Sequence, residues 1–284
     1  MKHRWSRLRI APFSASAVIS TVLMASPVCE ADEQGADPPA AAVPTIVTES
    51  QHEAAALLQG MARHLAGLQA FTVNSRSGYD VVQASGQKIE FGESRSLTMA
   101  RPDRLRVEEV ASDGARDLAL FDGKTVTVMN ADANVYAQAP QPGSVDDALV
   151  YFVRDLRMRM PLALLLTTRL PDELPQRIKS IDYVESADID GVPAHHLAGR
   201  TESVDFQFWI TQGEHPLPLR VVLTYRNATG QPQYWADFSQ WNVAPKLAAD
   251  AFRFSRPQDA RQVPFAVQRL QPAGPASATG EVNR

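Results

Sequence analysis

Two adjacent histidines, His195 and His196, are the first place in this sequence where metal chemistry could begin. They stand in a stretch that reads as a strand, where neighbouring side chains point to opposite faces, so a regular strand cannot offer both to one ion. The expectation is one histidine facing inward and one on the surface, with no metal. The run Asn130-Ala131-Asp132-Ala133-Asn134 spaces oxygen ligands like a calcium loop. It lacks that loop's glycine and bidentate glutamate and falls where a hairpin turn is expected. Arg154, Arg157 and Arg159 could receive a lipid phosphate, but the expected reading is a solvated helix face partly paired with Asp155. No HExxH or GxSxG pattern occurs, and no glycine-rich phosphate loop follows a strand. With no nucleophile, acid-base pair or metal cluster in view, the expectation is a protein that is not an enzyme and uses no cofactor.

The elements that must position these residues are legible from their periods. Ser50-Gln51-His52-Glu53 has the form of a capping box, and Ala54, Leu57, Leu58, Met61, Leu65 and Leu68 follow on one face of a helix. From Phe71 the period becomes two: Phe71, Val73, Tyr79 and Val81, then Ile89, Phe91, Leu97 and Met99, alternate with polar neighbours. Leu105 and Val107 begin a third strand, and Asp122-Gly123 is a favoured turn between Leu118 to Phe121 and Thr125 to Met129. A helical insert interrupts the strands. Ser144 with Asp147 starts it, and Leu149, Phe152, Val153, Leu156 and Met160 share one face, opposite Arg154, Asp155 and Arg157. Pro161 ends or restarts the helix, and Leu162 to Leu166, with Leu164 at its centre, is almost wholly apolar.

Strands resume at Ile178. A second Asp-Gly turn at Asp190-Gly191 precedes the alternating faces of Phe206 and Phe208, of Leu217, Leu219 and Val221, and of Tyr234, Ala236 and Phe238. The fold class expected is mainly β (α+β): about ten strands, mostly joined in sequence, forming one large curved antiparallel sheet or incomplete β-barrel with helices covering the concave face.

The ends of the chain carry an address. Lys2, Arg4, Arg7 and Arg9 precede an apolar run from Ile10 to Ala25 and a small-residue end, the three parts of a secretory signal peptide over residues 1–31. Cleavage fits best after Ala31; a lipid-anchored alternative would use Cys29, but Pro27 and Val28 precede it. Cys29 is the single cysteine, so a chain cleaved after Ala31 holds no disulfide and no thiol nucleophile. Removing Lys2, Arg4, Arg7, Arg9 and Glu30 takes 28 basic and 32 acidic residues to 24 and 31, a formal charge of −7 that argues against nucleic acid as partner. No later stretch has the ~20 apolar residues of a membrane-spanning helix. Residues 32–48 read as a flexible linker and 263–284 as a flexible tail, leaving 49–262 as one folded domain.

The ordered set Arg101-Pro102-Asp103-Arg104-Leu105-Arg106, Asp122-Gly123-Lys124-Thr125 with Asn130 to Tyr136, the helical insert, His215-Pro216-Leu217-Pro218-Leu219-Arg220, and Ala251-Phe252-Arg253-Phe254 before Pro257 resembles the periplasmic lipoprotein-carrier superfamily of LolA/LolB-like proteins, within a predicted-periplasmic branch. The resemblance implies an incomplete barrel with a helical lid, an apolar cavity between them for acyl chains, and an arginine, here Arg101, that ties lid to barrel. The lining it implies comprises Leu149, Phe152, Val153, Leu156, Met160 and Leu164 from the lid, and Phe206, Phe208, Leu219, Val221, Tyr234 and Phe238 from the strands. From residue types alone these could equally form a filled core. The function expected is a periplasmic binding or carrier protein for a lipid or acylated ligand; the alternative is an envelope sensor or interaction module acting through a protein partner.

Overall fold

The computed structural model describes residues 48–265. The expected signal peptide, its cleavage site, Cys29 and nearly all of the two expected tails lie outside the described residues. The first element is α1 (Glu49–Gly67), capped reciprocally by Thr48 and Gln51 rather than by Ser50 and Glu53. Ser50 serves another purpose: its hydroxyl accepts from Tyr183 N at 3.2 Å, tying the start of the helix to a strand.

Six strands follow as a meander: β1 (Ala70–Val82), β2 (Lys88–Ala100), β3 (Arg104–Ala111), β4 (Arg116–Phe121), β5 (Thr125–Asn130) and β6 (Val135–Pro140). In the β4–β5 hairpin the Asp122 carboxylate accepts from Lys124 N and Thr125 N, while Gly123 takes φ +88°. The calcium-like run is the β5–β6 turn: Asn130 Oδ1 accepts from Ala133 N at 2.7 Å and Asn134 sits at φ +50°. Turn chemistry accounts for these residues.

The insert holds α2 (Val145–Val150), a π-helical turn at Tyr151–Asp155, a 3-10 turn at Ala163–Leu166, and α3 (Leu170–Arg177). A second meander closes the fold: β7 (Ser180–Ile189), β8 (Val192–Arg200), β9 (Val204–Thr211), β10 (Pro218–Tyr225) and β11 (Gln233–Asn242), with the short β12 (Arg261–Gln262) after it. At the β7–β8 turn both Asp190 (φ +53°) and Gly191 (φ +83°) are left-handed, as a type I′ hairpin requires. α3 has no counterpart in the periodicity reading, because two prolines in Leu170-Pro171-Asp172-Glu173-Leu174-Pro175 obscure its signal.

The sheet order is β12-β6-β5-β4-β3-β2-β1-β11-β10-β9-β8-β7. Every pairing is antiparallel except that of β12 with β6. The sheet is large, curved and unclosed, with helices on its inner face, as expected. The two meanders meet where β1 pairs with β11. At that seam Gly78 lies under Trp235; a Cβ there would fall 2.6 Å from the indole nitrogen, so the ring's position requires glycine.

Two cores lie side by side on the inner face. α1 buries Ala54, Leu58, Met61, Ala62 and Leu65 against Leu197, Phe206, Phe208, Ile210 and Val221 of the second meander. α2 and the π turn bury Val145, Ala148, Leu149, Phe152 and Leu156 against Phe71, Met99, Leu105, Phe121 and Val126 of the first. Each large side chain so buried contributes about 1.5–3 kcal/mol. Leu68, Phe238 and Trp241 touch both cores. On the outer face Met129 and Tyr136 are covered by Ala260 and Phe254. No helix among the described residues is long and apolar enough to cross a membrane.

Candidate functional site

The inner face of β1–β5 is built in registered rows. Phe71, Met99, Leu105, Phe121 and Val126 are direct cross-strand neighbours, and so are Val73, Leu97, Val107, Ala119 and Val128 one level further along. Strand alternation puts both rows on the same side. The 145–166 segment lies over them as a cover.

That cover is irregular where a continuous helix was expected. After six residues of α2 the hydrogen bonding lengthens: Leu156 N donates to Tyr151 O and Met158 N to Phe152 O, both at 2.9 Å. Arg157 then takes φ +57°, uncommon outside glycine and asparagine. The π turn shifts the angular spacing of the side chains. Phe152 and Leu156 therefore point to the sheet, whereas Val153, placed on the same face by a 3.6-residue period, is 41 % exposed.

Both ends of the cover are anchored. Ser144 and Asp147 form the expected capping box of α2. At the other end Arg101 has only 6 % of its side chain exposed; its Nε donates to Leu68 O at 3.1 Å and its Nη2 to Leu166 O at 3.0 Å. Its Nη1 lies 3.7 Å from Asp146, whose carboxylate also accepts from Thr168 N and Oγ1. One guanidinium thus joins the end of α1, the start of the cover and its last turn.

The remaining expected lining residues divide between the two cores. Leu149, Phe152 and Leu156 lie in the core of the first meander, with Met160 against its rim. Leu164 packs with Phe206, Phe208 and Val221 in the core under α1. Phe238 bridges the two, and Leu219 is buried without joining either. The structure therefore does not place the 149–156 face opposite Phe206 and Phe208; α1 occupies that position. Tyr234 belongs to a polar neighbourhood on the same face, cross-strand from Tyr79 and Leu223. Burial raises its phenol above the usual range, while its hydrogen bond to Ser77 and the nearby Arg95 work against the shift.

Two hollows border other residues. A cavity of about 640 Å³ sits between α1 and the β9–β10 connection, with Leu57, Gly60, His64, His195 and Pro216 among its walls. His64 stacks on His215 with ring centroids 5.2 Å apart, and burial first, His215 second, lower its proton affinity. A smaller hollow of about 290 Å³ lies beside Arg101, Pro102 and Asp146. The two adjacent histidines do part as strand geometry requires: His195 borders the larger cavity, and His196 stacks on Trp209 at 4.0 Å while its Nε2 meets Gln207 at 3.0 Å. Among the described residues no group of three or more potential ligands could hold a metal ion.

A family of predicted periplasmic proteins, DUF2092, matches residues 54–266. The chain belongs to that family. The match covers the entire sheet and both cores. Comparison with curated proteins found no match. Among solved structures, the lipoprotein LppX of Mycobacterium tuberculosis is 15 % identical, with a TM-score of 0.45 over 70 % of this chain and 99 % of that one. LprF of Mycobacterium bovis is 13 % identical, with a TM-score of 0.41 over 71 % and 98 % of the two chains. A LolA superfamily protein of Nitrosomonas europaea is 11 % identical, with a TM-score of 0.35 over 71 % and 97 %.

Proposed function

We propose that this protein binds a hydrophobic ligand, a lipid or another acylated molecule, on the inner face of the sheet beneath the 145–166 cover, without catalysing a reaction on it. The observation that supports the reading is the construction of the cover: it buries Phe152 and Leu156 over two apolar rows through a π turn and a left-handed residue, between two anchored ends. Lifting it breaks few regular hydrogen bonds and uncovers a continuous apolar surface. An acyl chain replacing Phe152 and Leu156 there gains about 0.8 kcal/mol for each buried methylene, so ~8 methylenes supply several kcal/mol before binding costs are subtracted.

The test is native mass spectrometry of protein purified from the periplasm, with displacement of a fluorescent fatty-acid probe across a chain-length series. Lipid adducts and affinity that rises with chain length support the reading. Phe152→Asp, which places an unpaired charge under the cover, weakens long chains much more than short ones. Absence of adducts together with absence of chain-length dependence overturns it. N-terminal sequencing of the same material tests the proposed start at Asp32; an acylated Cys29 would overturn the cleavage site.

A second reading, an interaction module, draws on the outer face, where Arg220 lies 5.7 Å from the ring of Trp209 and 5.6 Å from that of Trp235. Aromatic and arginine side chains are enriched in protein interfaces. A stoichiometric protein partner lost on Arg220→Ala, with an interior free of lipid, would favour this reading over the first.

A further inference from the structure

α1 carries a glycine that its own packing does not require. Gly60 lies inside the helix, where glycine is destabilising relative to alanine. A Cβ added there would meet nothing closer than Pro216 Cγ at 4.0 Å, an ordinary van der Waals contact. The space beside it belongs to the hollow of about 640 Å³ between α1 and the β9–β10 connection, a size common for small-molecule sites. Leu57 and Pro216 give the hollow an apolar wall; Arg63 and His64 line it at the later turns of α1, with His215 stacked on His64. His64 Nε2 is shut off from solvent and has no hydrogen-bond partner, and among the described residues Arg63 has no ion pair. An unpartnered buried nitrogen is uncommon and calls for a cause.

We propose that this hollow is a binding site, separate from the surface beneath the cover, for a small carboxylate with an apolar body: the carboxylate lies against Arg63, His64 and His215, and the body along Leu57, Gly60 and Pro216. The proposal does not depend on the ligand-binding reading above. A carboxylate is acceptor-only and meets the guanidinium and the imidazole N–H groups, which lack acceptors. The other charged or titratable groups on the hollow are Glu53 of α1, His195 of β8 and Glu214 of the β9–β10 connection. Glu53 stands ten residues before Arg63, about 15 Å along the helix. Glu214, next to His215, penalises every negative charge brought in, so a singly charged carboxylate fits better than a phosphate. Burial, and after it the neighbouring His215, lower the proton affinity of His64. An anion against the stack opposes both effects, so binding takes up a proton and tightens as pH falls through the range in which imidazoles titrate.

The experiment titrates phenylbutyrate, phenylbutanol and phenylbutylamine into the full protein at about pH 7.5 and about pH 5.5, on either side of the usual imidazole range. The imidazole C–H resonances of His64 and His215, assigned from His64→Gln and His215→Gln, report binding at this site by NMR. Phenylbutyrate should shift both resonances, bind about tenfold or more tighter than the alcohol or the amine, and gain about tenfold at the lower pH. Gly60→Leu places a side chain in the hollow without touching the sheet, and circular dichroism and thermal unfolding verify its fold. It should weaken phenylbutyrate about tenfold or more, and Arg63→Gln should narrow the advantage of phenylbutyrate over phenylbutanol. Equal binding of all three, preference for the amine, affinity independent of pH, indifference to Gly60→Leu, or resonances that none of the compounds moves would each overturn the site. Displacement of the fatty-acid probe from beneath the cover is a separate readout and decides only the earlier reading.

Discussion

The two halves of the inner face are covered in opposite ways. Over β7–β10 lies a single regular helix, α1, with 19 residues, a capping box and five buried side chains on one stripe. Over β1–β5 lies a six-residue helix followed by a π turn, a left-handed arginine and a 3-10 turn. Both bury apolar rows of similar character, yet regular helical hydrogen bonds run the length of the first cover and are interrupted within the second. The comparison teaches that burial and rigidity are separable: side chains of equal burial can sit on backbones of very different opening cost. A protein that must hold itself together while admitting a ligand can assign the two tasks to different covers.

The largest expected effect tests that division directly. Leu58→Ala in α1 removes a side chain that is 2 % exposed from a regular stripe and should cost about 3 kcal/mol in urea unfolding. Leu156→Ala, at the end of the π turn where the chain can settle into the space, should cost about half as much. Equal losses would break the comparison.

Arg101→Leu sharpens it. The substitution strands Leu68 O and Leu166 O and takes one cation from Asp146, which keeps Thr168 as donor. The expected loss is roughly 2 kcal/mol, with the fold intact. Hydrogen exchange should accelerate across 151–166 while the buried stripe of α1 stays protected, and probe exchange should quicken. Unchanged exchange of both amides and probe would make Arg101 a structural residue without influence on the cover.

A third effect is smaller and depends on pH. Burial raises Asp117 above its ordinary range, so the folded state binds this proton more readily than the unfolded one. Stability contributed by the group is then greatest at low pH and falls as pH rises from about 4 through the raised folded value. Asp117→Asn removes that dependence. The variant should be more stable than wild type at neutral pH by less than about 1 kcal/mol, since the carboxylate is only partly buried, and the difference should vanish near pH 4. A difference that grows on acidification would contradict the assigned sign.

These particulars also show where sequence reasoning reaches. The periods of two and 3.6 found the meanders, α1 and the start of α2, because alternating strands and a capped stripe leave local signals. The fate of Val153 was not legible, since a π turn has no composition of its own and a 3.6-residue period assigns Val153 and Phe152 to one face. Nor was the partition of the lining. Phe152 and Phe206 belong to different cores because of where α1 lies, a contact between residues far apart in the chain. A polar row on the inner face was present in the alternation all along: Arg95 and Glu109 occupy the inward phase set by Leu97 and Val107. Reading those strands for their apolar members alone passed over it.

The last effect separates the covers at their first residues. Each begins with a capping box, Thr48 with Gln51 in α1 and Ser144 with Asp147 in α2. In Ser144→Ala the Asp147 carboxylate loses the hydroxyl that holds its proton affinity down, and the backbone N–H of Asp147 loses its acceptor. Thr48→Ala makes the corresponding loss in α1. Each should cost about 1 kcal/mol of stability, because a cap satisfies one or two end groups whatever the length of its helix. Their consequences should then diverge. In α1 the following turns hold the cover in place and fraying stops within the first turn, so probe exchange stays at the wild-type rate. In α2 only six helical residues separate the cap from the π turn, so the same loss reaches Phe152 and exchange accelerates. Stopped-flow displacement on the two variants, matched for thermal stability, reads this difference; equal rates would mean that the two covers open alike and that irregular hydrogen bonding does not set where the ligand enters.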